Sequence, residues 1–431
     1  MSAAYGEADV TEKTIYEALT EFESTLPFKM TAEQREAVVG CVQSPVSVIS
    51  GDAGKCKTTI LLALLSIYNR LSSGLAQFQV ALSGRAAQRM SESTGREAMT
   101  IAKLISNHIG DNKKPMPDHL LLVVDEASMV DLVSAYKLVG VHPYATRIVL
   151  VGDVAQLPPV GSGLIFHAAM DSDLPVFELT QVKRQGQDSG INLLATAVRI
   201  SQFEDKLLNS LSGDITFINT SDTDDIVSTY HANSGADCCI VLTPPRKGSL
   251  GVDSINLLIQ ESFNSSNETH YMDEFRGLIP WITRKGSTLC LGDQVMVTAN
   301  DYEADIRNGD LGSIYEVFEE PRDDGYGVLQ IEGKNIPITL KVLQNLDLGY
   351  GITIHKSLGS RWNTCILLLP SYAKHMIDQT LLYTAITRAA KKLIIIGDKS
   401  LINAAINRCS IALIRKKILK ICINSIELKQ L

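Results

Sequence analysis

The sequence is poor in several things that would point elsewhere. No continuous apolar run approaches the ~18 residues of a membrane span, and the opening stretch, with Glu7, Asp9 and Glu12, lacks the cationic start of a signal peptide. A cytoplasmic chain with no membrane partner is therefore expected. The eight cysteines, at 41, 56, 238, 239, 290, 365, 409 and 422, include no CxxC pair, so neither a zinc site nor a disulfide framework is suggested. Cys238 and Cys239 read as buried thiols ending an apolar strand. Positive charge is also lacking: 40 Lys and Arg face 48 Asp and Glu, for a net charge of -8, so any nucleic-acid contact needs a local groove. With 45% hydrophobic residues and no low-complexity tract, the 431 residues should fold, and they are too many for one core.

Two or three domains follow from that length, and the pattern suggests where they lie. Residues 1–30 read as a polar, partly helical lead-in, and Thr31 opens an amphipathic helix to about residue 41. A β-rich run at 46–50 ends at Gly51, and a helical stretch spans 58–68. Further apolar strands are expected at 80–82, 120–124 and 148–151, which makes residues 31–172 a parallel α/β domain. A second set at 239–242, 365–369 and 393–396, with a helical segment over 378–388, makes 173–431 a second α/β domain. Between about 286 and 345 the pattern changes to short strands with Asn308-Gly309-Asp310, Asp324-Gly325 and Glu332-Gly333 turns, which reads as a small inserted β-barrel.

The loop Gly51-Asp52-Ala53-Gly54-Lys55-Cys56-Lys57-Thr58, followed by Thr59, lies between strand and helix with the order of a Walker A sequence. Backbone N–H groups of such a loop cradle phosphate, Lys57 reaches the terminal phosphates, and Thr58 ligates Mg²⁺, so ATP and Mg²⁺ are the expected cofactors. The plainer alternative is a glycine-containing turn that binds nothing. Asp125 and Glu126 follow an apolar strand, at the edge of a parallel sheet where α/β ligand sites lie. There Asp125 would hold the metal through water, and Glu126 would orient or deprotonate the attacking water. The competing reading makes the pair a helix cap.

With these residues in place, the chain from Thr31 to about Arg415 resembles the RecD-like branch of superfamily 1 helicases, the group that contains the exonuclease V alpha subunit. Thr31-Ala32-Glu33-Gln34 resembles the Q motif, in which Gln34 would read adenine, although the same spacing suits a capping box. Ser83-Gly84-Arg85 resembles motif Ia, and the run from Gly152 through Asp153, Gln156, Pro158 and Pro159 to Gly161 is similar to motif III, whose glutamine senses γ-phosphate. Lys183-Arg184-Gln185 resembles motif IV, which implies that Arg184 contacts the nucleotide. Motifs V and VI are matched by Thr353-Ile354-His355-Lys356-Ser357 and by Tyr383 to Ala389, where Arg388 is the implied arginine finger.

The resemblance implies two RecA-like P-loop domains, an SH3-like barrel inserted in the second, and ATP-dependent 5′-to-3′ travel on single-stranded DNA. Arg85, His355, Lys356 and Trp362 are the implied DNA contacts, and a nuclease or recombination complex is the implied protein partner. Four positions depart from the pattern: Cys56 replaces a loop glycine, Leu358 a glutamine, Arg361 an acidic residue and Ala102 a histidine. An impaired motor that serves as a binding module is therefore the alternative reading. The tail from residue 407, with Arg408, Arg415, Lys416, Lys417 and Lys420, reads either as a DNA or partner contact or as a closing helix with a solvated face.

Overall fold

In β1 (Val46–Gly51) and β4 (His119–Asp125) nearly every side chain is buried, as strands covered on both faces require. Both belong to a six-stranded sheet with β2 (Ala76–Ala81), β3 (Ala98–Thr100), β5 (Ala145–Gly152) and β6 (Val176–Leu179). The order is β3-β2-β4-β5-β1-β6, and every pairing is parallel. The structure, a computed structural model, describes residues 11–51, 57–71, 74–108, 114–141, 145–180, 189–203, 213–234, 239–264, 269–273, 277–301, 303–322, 325–408 and 410–416.

Because successive strand side chains point to opposite faces, the apolar runs feed two cores. Ile49, Leu121 and Val123 pack with α1 (Glu12–Ser24), α2 (Ala32–Gln43) and α3 (Lys57–Leu71). On the other side Val48, Leu122 and Val124 pack with α5 (Ile101–His108), α6 (Leu132–Gly140) and α7 (Ile165–Met170), which supply Leu104, Leu138 and Phe166; α4 (Gly84–Thr94) adds Met90 to the first core and packs Ala86 and Ala87 with Ala81 of β2. Two expectations change here. Ile15 and Leu19 of α1 are wholly buried in the first core, so residues 11–24 are an integral part of it rather than a lead-in. β6 lies beyond the expected boundary at 172, yet it pairs with β1.

The chain divides into two compact units, residues 1–187 with 409–431 and residues 188–408. The second opens with α8 (Gly190–Arg199) and contains β7 (Ile215–Ile218), β8 (Cys239–Thr243), β9 (His270–Asp273), β10 (Gly277–Pro280), β11 (Gln294–Val297), β12 (Leu311–Arg322), β13 (Gly325–Ile331), β14 (Lys334–Pro337), β15 (Leu346–Leu348), β16 (Gly351–Thr353), β17 (Trp362–Leu369) and β18 (Ala389–Gly397). A parallel sheet runs β16-β8-β17-β18-β7, and an antiparallel sheet runs β14-β13-β12-β11-β15.

Glu332 and Gly333, both left-handed at φ 50° and 79°, make the two-residue hairpin joining β13 to β14, as the Glu-Gly pair suggests. The antiparallel sheet extends past the expected limit at 345, because β15 closes it against β11. Its Val295, Ile314 and Leu329 share one core with Val241, Ile366 and Ile394 of the parallel sheet. Cys239 opens β8 and is half-buried, so it starts rather than ends that strand, and Cys238 lies outside the described residues.

Candidate nucleotide site and nucleic-acid surface

Three neighbouring strands of the first unit end together. The pairing of Ser50 with Gly152 and of Val124 with Leu150 brings the C-terminal edges of β1, β4 and β5 side by side. Lys57 opens α3, and its ammonium donates to the carbonyls of Gly51 at 3.1 Å and Gly152 at 3.4 Å, so one cation spans the phosphate-loop strand and the start of the motif III loop. Thr58 is exposed and Thr59 half-buried on the first turn of the same helix. Asp52, Ala53, Gly54, Lys55, Cys56 and the motif IV residues Lys183, Arg184 and Gln185 lie outside the described residues.

Asp125 ends β4. Burial first, and then the neighbouring Glu126, push its carboxyl up to about 6, against the pull of Lys57 and Arg89. Glu126 is held left-handed at φ 50°, a conformation of the kind that non-glycine residues adopt at functional sites. Its Oε2 is buried and has no hydrogen-bond partner among the described residues. The helix-cap reading of the pair fails here, because Asp131 is the side chain that caps α6, accepting from Ser134 N at 2.7 Å, and Glu126 makes no capping bond.

The donor set suits Mg²⁺, which ordinarily takes one or two carboxylates together with substrate phosphates. Among the described residues no group of three or more His, Cys, Asp or Glu side chains is arranged to hold a metal alone. Two adjacent carboxylates, one with an unsatisfied buried oxygen, and a helix-start hydroxyl at Thr58 are what a nucleotide-borne cation would meet.

The motif III loop folds over this edge. Asp153 is fully buried; its Oδ1 accepts from Ala155 N at 3.0 Å and its Oδ2 from Gln156 Nε2 at 3.4 Å, which orients the buried Gln156 amide. The loop glycines have steric reasons. A Cβ on Gly152 would lie 2.9 Å from Ser128 N, and one on Gly161 would lie 2.3 Å from Asp131 Oδ2, so the loop can pack against the start of α6 only with glycine there.

Gln34 makes the capping box: its Oε1 accepts from Thr31 N at 2.9 Å while Thr31 Oγ1 accepts from Gln34 N at 3.2 Å. Glu33, which the sequence reading passed over, receives Thr180 N at 2.8 Å and the Thr180 hydroxyl, linking the Q motif to the end of β6. Arg85 is half-buried at the start of α4, which Ser83 caps by accepting from Ala86 N at 3.2 Å.

In the second unit Arg388 is buried. Its Nε donates to Thr384 O at 3.1 Å, Nη1 to Ser360 O at 3.2 Å and Nη2 to Thr387 Oγ1 at 3.3 Å, so one guanidinium joins motif VI to motif V. Arg361 adds Nε to Thr387 O at 3.1 Å, so the residue that departs from the acidic pattern supports the same junction. Leu358 is buried, an apolar side chain in a packed position.

His355 and Lys356 are exposed on a tight turn capped by Thr353, but Trp362 is buried at the start of β17. The expected DNA-stacking role of Trp362 is therefore corrected: a ring enclosed in the fold offers no face to a base. Lys356 lines a cleft of about 320 Å³ with Arg246, Arg284, Lys285, Met296 and Asp347, a cationic concentration that single motifs did not reveal because its residues come from separate strands and turns. Although the residue as a whole is exposed, its ammonium is partly enclosed by the cleft; that desolvation, then Lys285, lower the Lys356 pKa, and Asp347 opposes them.

Comparisons with known proteins agree with this assembly. An AAA domain family model matches residues 29–217, and a UvrD-like helicase C-terminal domain model matches residues 348–396. The chain is 32% identical over 365 residues to the ATP-dependent RecD2 DNA helicase of Deinococcus radiodurans, an alignment covering 82% of this chain and 47% of that protein. It is 27% identical over 427 residues to the RecBCD enzyme subunit RecD of Mycolicibacterium smegmatis, covering 87% of this chain and 72% of that one. The chain thus spans about half the length of the first of these relatives. In fold it is similar to Bacteroides Pif1 bound to ssDNA, with a TM-score of 0.57 at 21% identity over 91% of this chain and 97% of that one. Taken with the phosphate-loop lysine, the paired carboxylates and the motif III loop at one sheet edge, these matches place the chain in the RecD-like branch of the superfamily 1 helicases.

Proposed function

We propose that the chain is an ATP-dependent DNA helicase or translocase that hydrolyses ATP to ADP and phosphate while moving 5′-to-3′ on single-stranded DNA. The observation that carries this reading is the meeting of Lys57, Asp125, Glu126 and the Gln156 loop at the ends of three adjacent parallel strands. Phosphoryl transfer needs positioning and charge neutralisation more than covalent help from the protein. In this reading the two α/β units are RecA-like, and the antiparallel sheet of the second is an SH3-like insertion.

Lys57 exchanges its two carbonyl partners for terminal phosphate oxygens, and the unsatisfied Glu126 Oε2 takes a proton from, or orients, the attacking water. Thr58 and Asp125 would hold Mg²⁺, which supplies charge neutralisation on the phosphates when bound. Gln156, poised by Asp153, senses the γ-phosphate, Gln34 reads the adenine, and Arg388 acts as the arginine finger. Arg85, His355 and Lys356 contact the DNA backbone. A nuclease or recombination complex is the proposed assembly partner, on the relation to a RecBCD subunit.

The test is ATP hydrolysis by the purified chain with and without single-stranded DNA, beside Glu126→Gln and Cys56→Gly. DNA-stimulated turnover that Glu126→Gln abolishes supports the motor. Absence of turnover in both the native chain and Cys56→Gly refutes it.

A further inference from the structure

Of the basic tail, for which the sequence left DNA contact and a closing helix both open, residues 410–416 have a specific docking place. Arg408, the last residue of the second unit, donates Nη1 to Ile377 O at 3.1 Å and to Lys374 O. From residue 409 the chain belongs to the first unit. Residues 411–416 are helical; Ser410 is buried, and its hydroxyl caps the turn by accepting from Leu413 N at 3.2 Å. One turn on, Arg415 Nη1 donates to Pro159 O at 2.7 Å and to Gly161 O at 3.3 Å, and Lys416 pairs with Asp171 just past α7. Pro159 and Gly161 belong to the motif III loop, and neither carbonyl accepts another hydrogen bond from a described residue.

We propose that Arg415 is a positioning residue for motif III: the C-terminal segment straps the loop that carries Gln156, fixing the amide through the loop rather than by touching it. The proposal rests, for its catalytic half, on the reading of Gln156 as the γ-phosphate sensor. Asp153 fixes Gln156 from inside the loop, and the close approach of Gly161 to Asp131 fixes one flank. The carbonyls of Pro159 and Gly161 are held by Arg415, whose planar Nη1 amine aims its N–H bonds at both where an ammonium would meet them as a point charge. The same segment follows directly on residues anchored in the second unit, so the loop that reads nucleotide is tied by a short covalent run to the unit that carries motifs V and VI.

The experiment is amide hydrogen exchange on the full chain, native, Arg415→Ala and Arg415→Lys, beside steady-state ATP hydrolysis. Exchange over residues 153–163 should accelerate about tenfold in Arg415→Ala, the effect of one charged hydrogen bond on a local opening, with Arg415→Lys between and β4 and α3 unchanged. kcat should fall about fivefold with KM for ATP nearly unaltered, as loss of an interaction that matters in the transition state requires. Unchanged exchange over 153–163, acceleration spread through β4 and α3, or local acceleration with kcat intact each overturns the proposal. A native chain that hydrolyses no ATP would sink the reading of Gln156 as sensor, and the exchange result would still decide whether Arg415 holds the loop.

Discussion

At the C-terminal edge of the first unit's sheet a lysine and two carboxylates gather, with one carboxylate oxygen that has no donor among the described residues, whereas at the same edge of the second unit's sheet Thr243 and Asp378 are used by the fold. There Thr243 Oγ1 donates to Leu250 O at 2.8 Å and Asp378 accepts from Leu381 N at 2.8 Å to cap a helix; Arg388, at the opposite edge where β18 begins, likewise spends three donor atoms on its own unit. The two sheets share a parallel design, so backbone architecture does not account for the difference. A buried acceptor left without a partner costs about 1–3 kcal/mol, a cost that the catalytic role proposed for Glu126 would account for. In the second unit the Arg388 cation is buried and hydrogen-bonded within its own unit.

The sharpest way to break this comparison is Arg388→Ala. As an arginine finger it should lower DNA-stimulated ATP turnover by about 10³-fold. It also strands the carbonyls of Thr384 and Ser360, which should cost about 1–3 kcal/mol in denaturant unfolding. A stability loss with turnover preserved would make Arg388 purely structural. Glu126→Gln should follow, with turnover down about 10²-fold and nucleotide binding retained in a fluorescence titration, since it removes the base and leaves the lysine and loop. Unaltered turnover would reassign Glu126 to the fold.

Gly161→Ala tests the packing of the motif III loop. The added methyl meets Asp131 Oδ2 at 2.3 Å, and an overpacked contact of this kind should cost about 1–3 kcal/mol in thermal melts, concentrated in the first unit. The smallest effect concerns His167 of α7, a buried ring whose nitrogens have no hydrogen-bond partner among the described residues. Burial lowers its pKa and so does Lys416, while the nearby backbone carbonyl of Val154 and the charge of Asp171 oppose. The unfolded chain then binds more protons than the folded one, so stability is lost as pH falls below about 6.5 and recovered above it. His167→Gln should flatten a melting-temperature profile between pH 5 and 7.5, and an unchanged slope would assign the acid sensitivity elsewhere.

Much of this was legible because local order carries it. The strand-loop-helix around Lys57, the apolar run before Asp125 and the Gly-Asp…Gln…Pro-Pro order of the motif III loop are contiguous, and their spacing alone suggests where the chain turns at a sheet edge. The capping box at Thr31 was equally local, and the structure realises it. What escaped has partners far apart in the sequence. Nothing in residues 11–24 says that Ile15 and Leu19 complete the first core against α3, nor that the strand at Val176–Leu179 returns to pair with β1. Trp362 looked available because an aromatic beside motif V suits a stacking platform, and only the surrounding fold buries it.

The sequence by itself determined the chemistry on offer, a phosphate-loop lysine, a carboxylate pair, a glutamine loop and a terminal arginine, because each depends on which side chains follow a strand and at what spacing. The tertiary structure alone decided which of those groups are satisfied and which are not. Hydrogen-bond satisfaction depends on strands paired across a hundred residues, as when Lys57 reaches Gly152 and Arg415 reaches Pro159, and no local pattern encodes such distances.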